Sequence, residues 1–114
     1  MAEITAESVG GAKNLERIGE LHPMMQDKVA AAVEALRAQG YEVKIPKSGT
    51  YRSSEEQDRL YAQGRTAPGP IVTGARGGDS YHNHGLAVDL EISRDGKPVT
   101  FSDETARIVE QASG

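Results

Sequence analysis

The chain of 114 residues contains no cysteine and no tryptophan. Without thiols there is neither a disulfide nor a thiolate metal site, so a metal would have to be held by His, Asp or Glu. Aromatic residues are scarce as well, four Tyr and one Phe, which leaves Leu, Val, Ile, Met and Ala to build the core. No apolar run approaches the roughly 20 residues of a membrane-spanning helix. Met1-Ala2-Glu3-Ile4 is not a basic segment followed by an apolar one, so no Sec-type signal is expected and synthesis in the cytoplasm is. Positive charge is in deficit too, with 13 Lys and Arg against 17 Asp and Glu for a net −4. A nucleic-acid partner is therefore not expected, because such binding draws on a basic face that neutralises phosphates.

What remains suits one small domain, expected to be monomeric, with an N-terminal arm over residues 1–20 and the domain proper over 21–114. The arm is mostly small and polar around Gly10-Gly11, and is expected to be loose or partly helical. Pro23, Met25, Val29, Ala32, Val33 and Leu36 recur at helical spacing until Gly40, marking a core helix. Tyr41 to Ile45 alternates as a half-buried strand does, and Pro46 ends it. Ser53 with Glu56, and Ser54 with Gln57, are overlapping capping boxes for a helix to about Gln63, with Gly64 as a left-handed cap.

Five glycines and two prolines between Gly64 and Gly78 specify a long shaped loop. Leu86, Val88, Leu90 and Ile92 then share one side of a second strand, with Ala87, Asp89 and Glu91 on the other. Asp95-Gly96 marks a hairpin turn into a short strand, Pro98 to Phe101. Ser102 or Asp103 caps a last helix, Thr105 to Ala112, with Ile108 and Ala112 to pack. The expected fold class is α+β, helices packed on a small antiparallel sheet, with the functional cleft on the sheet face away from them. From Lys44 to Gly78 six basic residues outnumber three acidic ones, a local +3. That surplus is either a solvated face or a cleft for an anionic substrate.

The run Ser80-Tyr81-His82-Asn83-His84-Gly85-Leu86-Ala87-Val88-Asp89 carries the chemistry. A catalytic zinc usually takes three protein ligands and keeps a fourth position open. His82 and Asp89 are two donors of the right kind, and Gly85 lets the chain bend between them. By spacing alone the pair is more often a loop histidine and an ordinary strand carboxylate, because such pairs are common.

The run fits S-x-H-x-x-G-x-A-x-D at every fixed position. Around it stand Leu21-His22-Pro23, Tyr51-Arg52-Ser53 with Glu56-Gln57, Leu60-Tyr61-Ala62-Gln63-Gly64-Arg65-Thr66, and Ile71-Val72-Thr73 with Ala75-Arg76-Gly77-Gly78. Over roughly residues 18 to 112 the chain resembles the zinc peptidases that cleave peptidoglycan stem peptides. These are D-alanyl-D-alanine carboxypeptidases and L-alanyl-D-glutamate endopeptidases, and the chain looks most like the second branch, found in phage endolysins and bacterial cell-wall hydrolases. The resemblance implies zinc as cofactor, His82 and Asp89 as ligands, Arg52 as the arginine that polarises or holds substrate, and Ser80 as a support of the site. It implies a stem peptide as substrate and the bacterial cell wall as the place of action. The alternatives are carboxypeptidase specificity, or a catalytically silent module that binds muropeptide or a partner.

Arg52 could instead pair with Glu55 or Glu56 on the surface. His84 is expected in a supporting or exposed role, His22 in packing or hydrogen bonding at the start of its helix, and Tyr51, Gln57 and Tyr61 in packing. Members of the family continue into a strand bearing an acidic residue three before a histidine, the general base and third ligand. That strand is expected to be lacking from this sequence, leaving His84, His22 or Glu91 to complete a weak site.

Overall fold

The computed structural model describes residues 4–47, 49–100 and 102–113. In chain order they form α1 (Ala6–Val9), α2 (Ala12–Gly19), α3 (Pro23–Ala38), β1 (Glu42–Lys44), α4 (Ser54–Ala62), a 3-10 helix (Tyr81–His84), β2 (Glu91–Arg94), β3 (Lys97–Pro98) and α5 (Asp103–Ser113). The three strands make one antiparallel sheet in the order β1-β2-β3. None of the helices among the described residues is long and apolar enough to cross a membrane.

The core follows from α3. Pro23 supplies a preset φ at its first turn, and the His22 ring nitrogen Nδ1 accepts from the Met24 N–H at 3.2 Å. Val29, Ala30, Val33 and Leu36 form its buried stripe, against which α5 sets Ile108 and Val109. Tyr41, Val43 and Ile45 point inward while Glu42 and Lys44 point out, and Val43 faces Ile92 across the sheet. The hairpin turn has Asp95 at φ 53° and Gly96 at φ 76°, the two positive values that a tight two-residue hairpin requires.

Residues 4–20 are integral to this core. Val9 is 0% and Ile18 1% exposed, and Leu15 packs beside them. Asn14 explains the attachment. Its amide donates to the Val9 and Val43 carbonyls, both at 2.8 Å, and its Oδ1 accepts from the Ile45 N–H at 2.9 Å. The side chain thus occupies the outer edge of β1 as another strand would, satisfying groups that burial would otherwise leave unpaired. Met1 to Glu3 of the expected arm lie outside the described residues.

The second strand is shorter than its alternation suggests, because ladder pairing starts only at Glu91. β1 offers three residues and then turns away at Pro46, so the ladder does not extend over residues 86–90, which are held by single backbone bonds such as that from the Asp89 N–H to the Gly49 carbonyl. They run extended nonetheless, with Val88 and Leu90 packed on the core and Asp89 exposed. The third strand pairs over Lys97–Pro98, continued by the Val99 N–H to the Ile92 carbonyl at 2.8 Å; Phe101 lies outside the described residues. At the start of α5 the buried Thr105 hydroxyl accepts from the Ser102 N–H at 2.7 Å and donates to the Ser102 carbonyl at 3.0 Å.

The glycine loop folds back on α4. Asp58 accepts from the Gly77 N–H at 2.7 Å, and Gln63 donates to the Pro70 carbonyl at 3.0 Å. A Cβ at Gly77 would collide with the Ser54 carbonyl, so only glycine lets the loop lie this close to the helix.

Candidate metal centre

The site is organised by the backbone of Gly49 to Arg52, which touches both segments that carry the expected ligands. The Gly49 carbonyl accepts from the Asp89 N–H at 2.7 Å. The Arg52 N–H donates to the His82 carbonyl at 2.9 Å, and the Arg52 carbonyl accepts from the Asn83 side chain at 2.7 Å. The Thr50 carbonyl lies 2.8 Å from His82 Nδ1. A carbonyl only accepts, so Nδ1 carries the proton, and in the neutral ring Nε2 presents a lone pair. Thr50 is itself fully buried and donates through its hydroxyl to Glu20 at 2.7 Å.

The 3-10 helix that carries His82 is set by its ends. Ser80 accepts from the His82 N–H at 3.2 Å, and Asn83 accepts in return from the Ser80 N–H at 3.1 Å, a reciprocal cap. Gly85 closes the helix at φ 69°, its carbonyl accepting from the His22 N–H at 3.0 Å and anchoring the turn to the start of α3. A Cβ at Gly85 would stand 2.7 Å from the His22 nitrogen.

These constraints bring His82 Nε2 to 3.5 Å from Asp89 Oδ1. Two donors each about 2.0–2.1 Å from one tetrahedral ion lie about 3.3–3.4 Å apart, so the pair fits one edge of a zinc coordination shell. Arg52 approaches the other carboxylate oxygen, Nη2 to Oδ2 at 3.8 Å, and donates from Nη1 to Gln57 Oε1 at 2.8 Å. Asp89 is 56% exposed, so this ion pair orients more than it stabilises. The alternative pairing of Arg52 with Glu55 or Glu56 is displaced by these contacts.

Gln57 is 1% exposed and joins the arginine to the glycine loop, its amide donating to the Ala75 carbonyl at 2.8 Å and toward the Thr73 hydroxyl at 3.3 Å. Arg52 and Asp89 face an open cleft of about 460 Å³, whose charged lining is Lys47, Arg52 and Arg59 against Glu56 and Asp89. Three of the six cations behind the local +3 therefore gather at the site. Arg65 and Arg76 go elsewhere, flanking the Tyr61 ring with guanidinium carbons 4.0 and 5.2 Å from its centroid.

Several expectations need correction. Asp89 stands not on a paired strand but on an extended segment leading into β2, with His82 on the 3-10 turn before it. His84 is exposed, as expected, its Nε2 lying 3.2 Å from the Gly78 carbonyl. His22 is occupied by its helix cap, as expected. Among the described residues no three His, Cys, Asp or Glu side chains converge on one point, so His84, His22 and Glu91 do not complete the shell. Ser80 touches backbone rather than the open cleft and positions His82.

Thr50, Gln57 and Asn83 were not singled out as site residues by the sequence. Asn83 lies within the signature and Gln57 within the quoted Glu56-Gln57 pair, but neither position reveals a partner 31 or 18 residues away.

Residues 19–112 match the family model VanY, D-alanyl-D-alanine carboxypeptidase. Over 75 residues the chain is 47% identical to the peptidoglycan L-alanyl-D-glutamate endopeptidase CwlK of Bacillus subtilis, an alignment covering 66% of this chain and 44% of that relative. The chain thus spans less than half the length of the curated relative it matches. With the family match running from the last residue of α2 into the final turn of α5 and enclosing every residue of the His82–Asp89 centre, the chain belongs to the VanY family of D-alanyl-D-alanine carboxypeptidases.

Proposed function

We propose that the chain is a zinc-dependent peptidoglycan peptidase that cuts stem peptides at the L-alanyl-D-glutamate bond, acting at the bacterial cell wall as a monomer. The observation that carries this reading is the His82–Asp89 pair, spaced at 3.5 Å for one metal edge and set beside Arg52. The likeness to CwlK supports the choice of bond over the carboxypeptidase alternative.

His82 and Asp89 would hold the metal. Zinc there supplies Lewis acidity toward a scissile carbonyl and lowers the pKa of water. The chain's own groups do the rest. Thr50 fixes the His82 tautomer, and Ser80 and Asn83 fix the turn that aims the ring. Arg52, held by Gln57, presents fixed charge where a carbonyl oxygen gains negative charge or a substrate carboxylate docks. Lys47 and Arg59 extend that positive lining for an anionic peptide.

The test is incubation of the chain with purified peptidoglycan and zinc, followed by mass spectrometry for fragments with a new N-terminal D-glutamate. His82→Ala and Asp89→Ala should abolish their release. The binding-module reading is favoured by the convergence of only two donors among the described residues. Under it, the chain would sediment with wall material and release no peptide.

A further inference from the structure

A second open cleft, of about 390 Å³, adjoins the first, since Lys47 lines both. Its other lining residues are Glu16, Arg17 and Glu20 from the end of α2, and Tyr51. The site described above touches it only through Lys47 and through Glu20, which holds Thr50. Arg17 is largely buried, 15% exposed at its side chain, and its Nε has no hydrogen-bond partner among the described residues. Its ion pair with Glu16 is long, 3.8 Å, and Glu16 is 61% exposed. Glu20 spends one oxygen on Thr50, and Tyr51 offers a half-exposed ring as one wall.

The cleft therefore presents two cations and two carboxylates. A ligand with a single charge would meet a like charge within the cleft, whereas one bearing an ammonium and a carboxylate on the same carbon answers both signs. We infer that this cleft reads the third residue of the stem peptide, and selects a diaminodicarboxylic acid, whose side chain ends in a zwitterion, over a diamino acid ending in ammonium alone. The ammonium would lie toward Glu16 and Glu20, and the carboxylate toward Arg17 and Lys47. The inference rests on the proposed function, and takes the second residue of the stem to lie at the Arg52 cleft and its successor to run past Lys47, the side chain that lines both clefts.

The probes are γ-D-glutamyl-meso-diaminopimelate and γ-D-glutamyl-L-lysine, which have no L-alanyl bond to cut, titrated into the zinc-loaded protein and followed by NMR. The first should bind about tenfold more tightly or better, as expected of a hydrogen-bonded charged group. Glu16→Gln and Lys47→Met, both at exposed positions, should each remove most of that preference. Equal affinities, or a preference that survives both substitutions, would overturn the inference. If neither dipeptide binds while peptidoglycan is still cleaved, the inference fails and the proposed function stands. If peptidoglycan is not cleaved at all, both fail.

Discussion

Replacing Gln57 by Met keeps most of the side-chain volume at a position 1% exposed and removes its hydrogen bonds. The bond from Arg52, at 2.8 Å, involves a charged group and contributes about 1.5–3 kcal/mol; the bond to the Ala75 carbonyl, also 2.8 Å, adds about 0.5–1.5 kcal/mol. The expected loss of stability is therefore about 2–4.5 kcal/mol. Urea denaturation would show it as a midpoint lowered by roughly 0.7 M or more, given slopes of about 1–3 kcal/mol/M for small domains. Peptidoglycan cleavage should fall further than stability alone explains, because Arg52 loses the contact that holds it. Gln57→Glu separates the effects: its carboxylate still accepts from Arg52 but sets an oxygen against the Ala75 carbonyl, so stability should fall while cleavage is largely kept. A Gln57→Met protein within about 0.5 kcal/mol of wild type, the usual span of inconsequential surface changes, and fully active would refute this account of Arg52.

Asn14→Ala should cost about 3 kcal/mol in denaturant, since it strips three buried hydrogen bonds from the edge of β1; a change under about 1 kcal/mol would detach α1 and α2 from the core. Gly85→Ala combines a φ of 69° with a 2.7 Å approach to His22 and should lower Tm by on the order of 10 °C for roughly 2 kcal/mol. Tyr61 should ionise below its ordinary value of 10.0, because the Arg76 side chain hydrogen-bonds it and favours tyrosinate. The folded value being the lower one, the linked stability is complete above pH 10 and is lost as pH falls through the folded value. Tyrosinate absorbance should reveal one early-titrating group of the four Tyr, moved upward by Arg76→Ala.

Local signals were read correctly where one segment decides the outcome. Pro23 and the apolar spacing behind it marked α3, Ser53 marked the start of α4, and Asp95-Gly96 marked the hairpin. Sequence failed where a distant partner decides. The alternation sorted Val88, Leu90 and Ile92 inward and Asp89 and Glu91 outward as found, but it did not place Leu86, which stays off the core, nor reveal that β1 is too short to pair with the first half of the strand. Residues 4–20 suggested a loose or partly helical arm because their attachment runs through Asn14, a polar side chain whose three partners lie up to 31 residues away. At the candidate site, the signature singled out His82 and Asp89 and the surrounding motifs singled out Arg52, and the fold brings the three together. Thr50 and Gln57 act through a carbonyl and an amide, groups that leave no distinctive mark on a sequence.

The central claim is that His82 and Asp89 hold one metal ion between them. Three histidines make it directly observable, since the ring resonances of His22, His82 and His84 can all be followed by NMR during a zinc titration. The account requires His82 to respond first and through Nε2, with His22 held in its cap and His84 at Gly78, and requires Asp89→Ala to weaken the response by about tenfold or more. Zinc that leaves His82 unmoved, or that shifts the three rings alike and ignores Asp89→Ala, would contradict it.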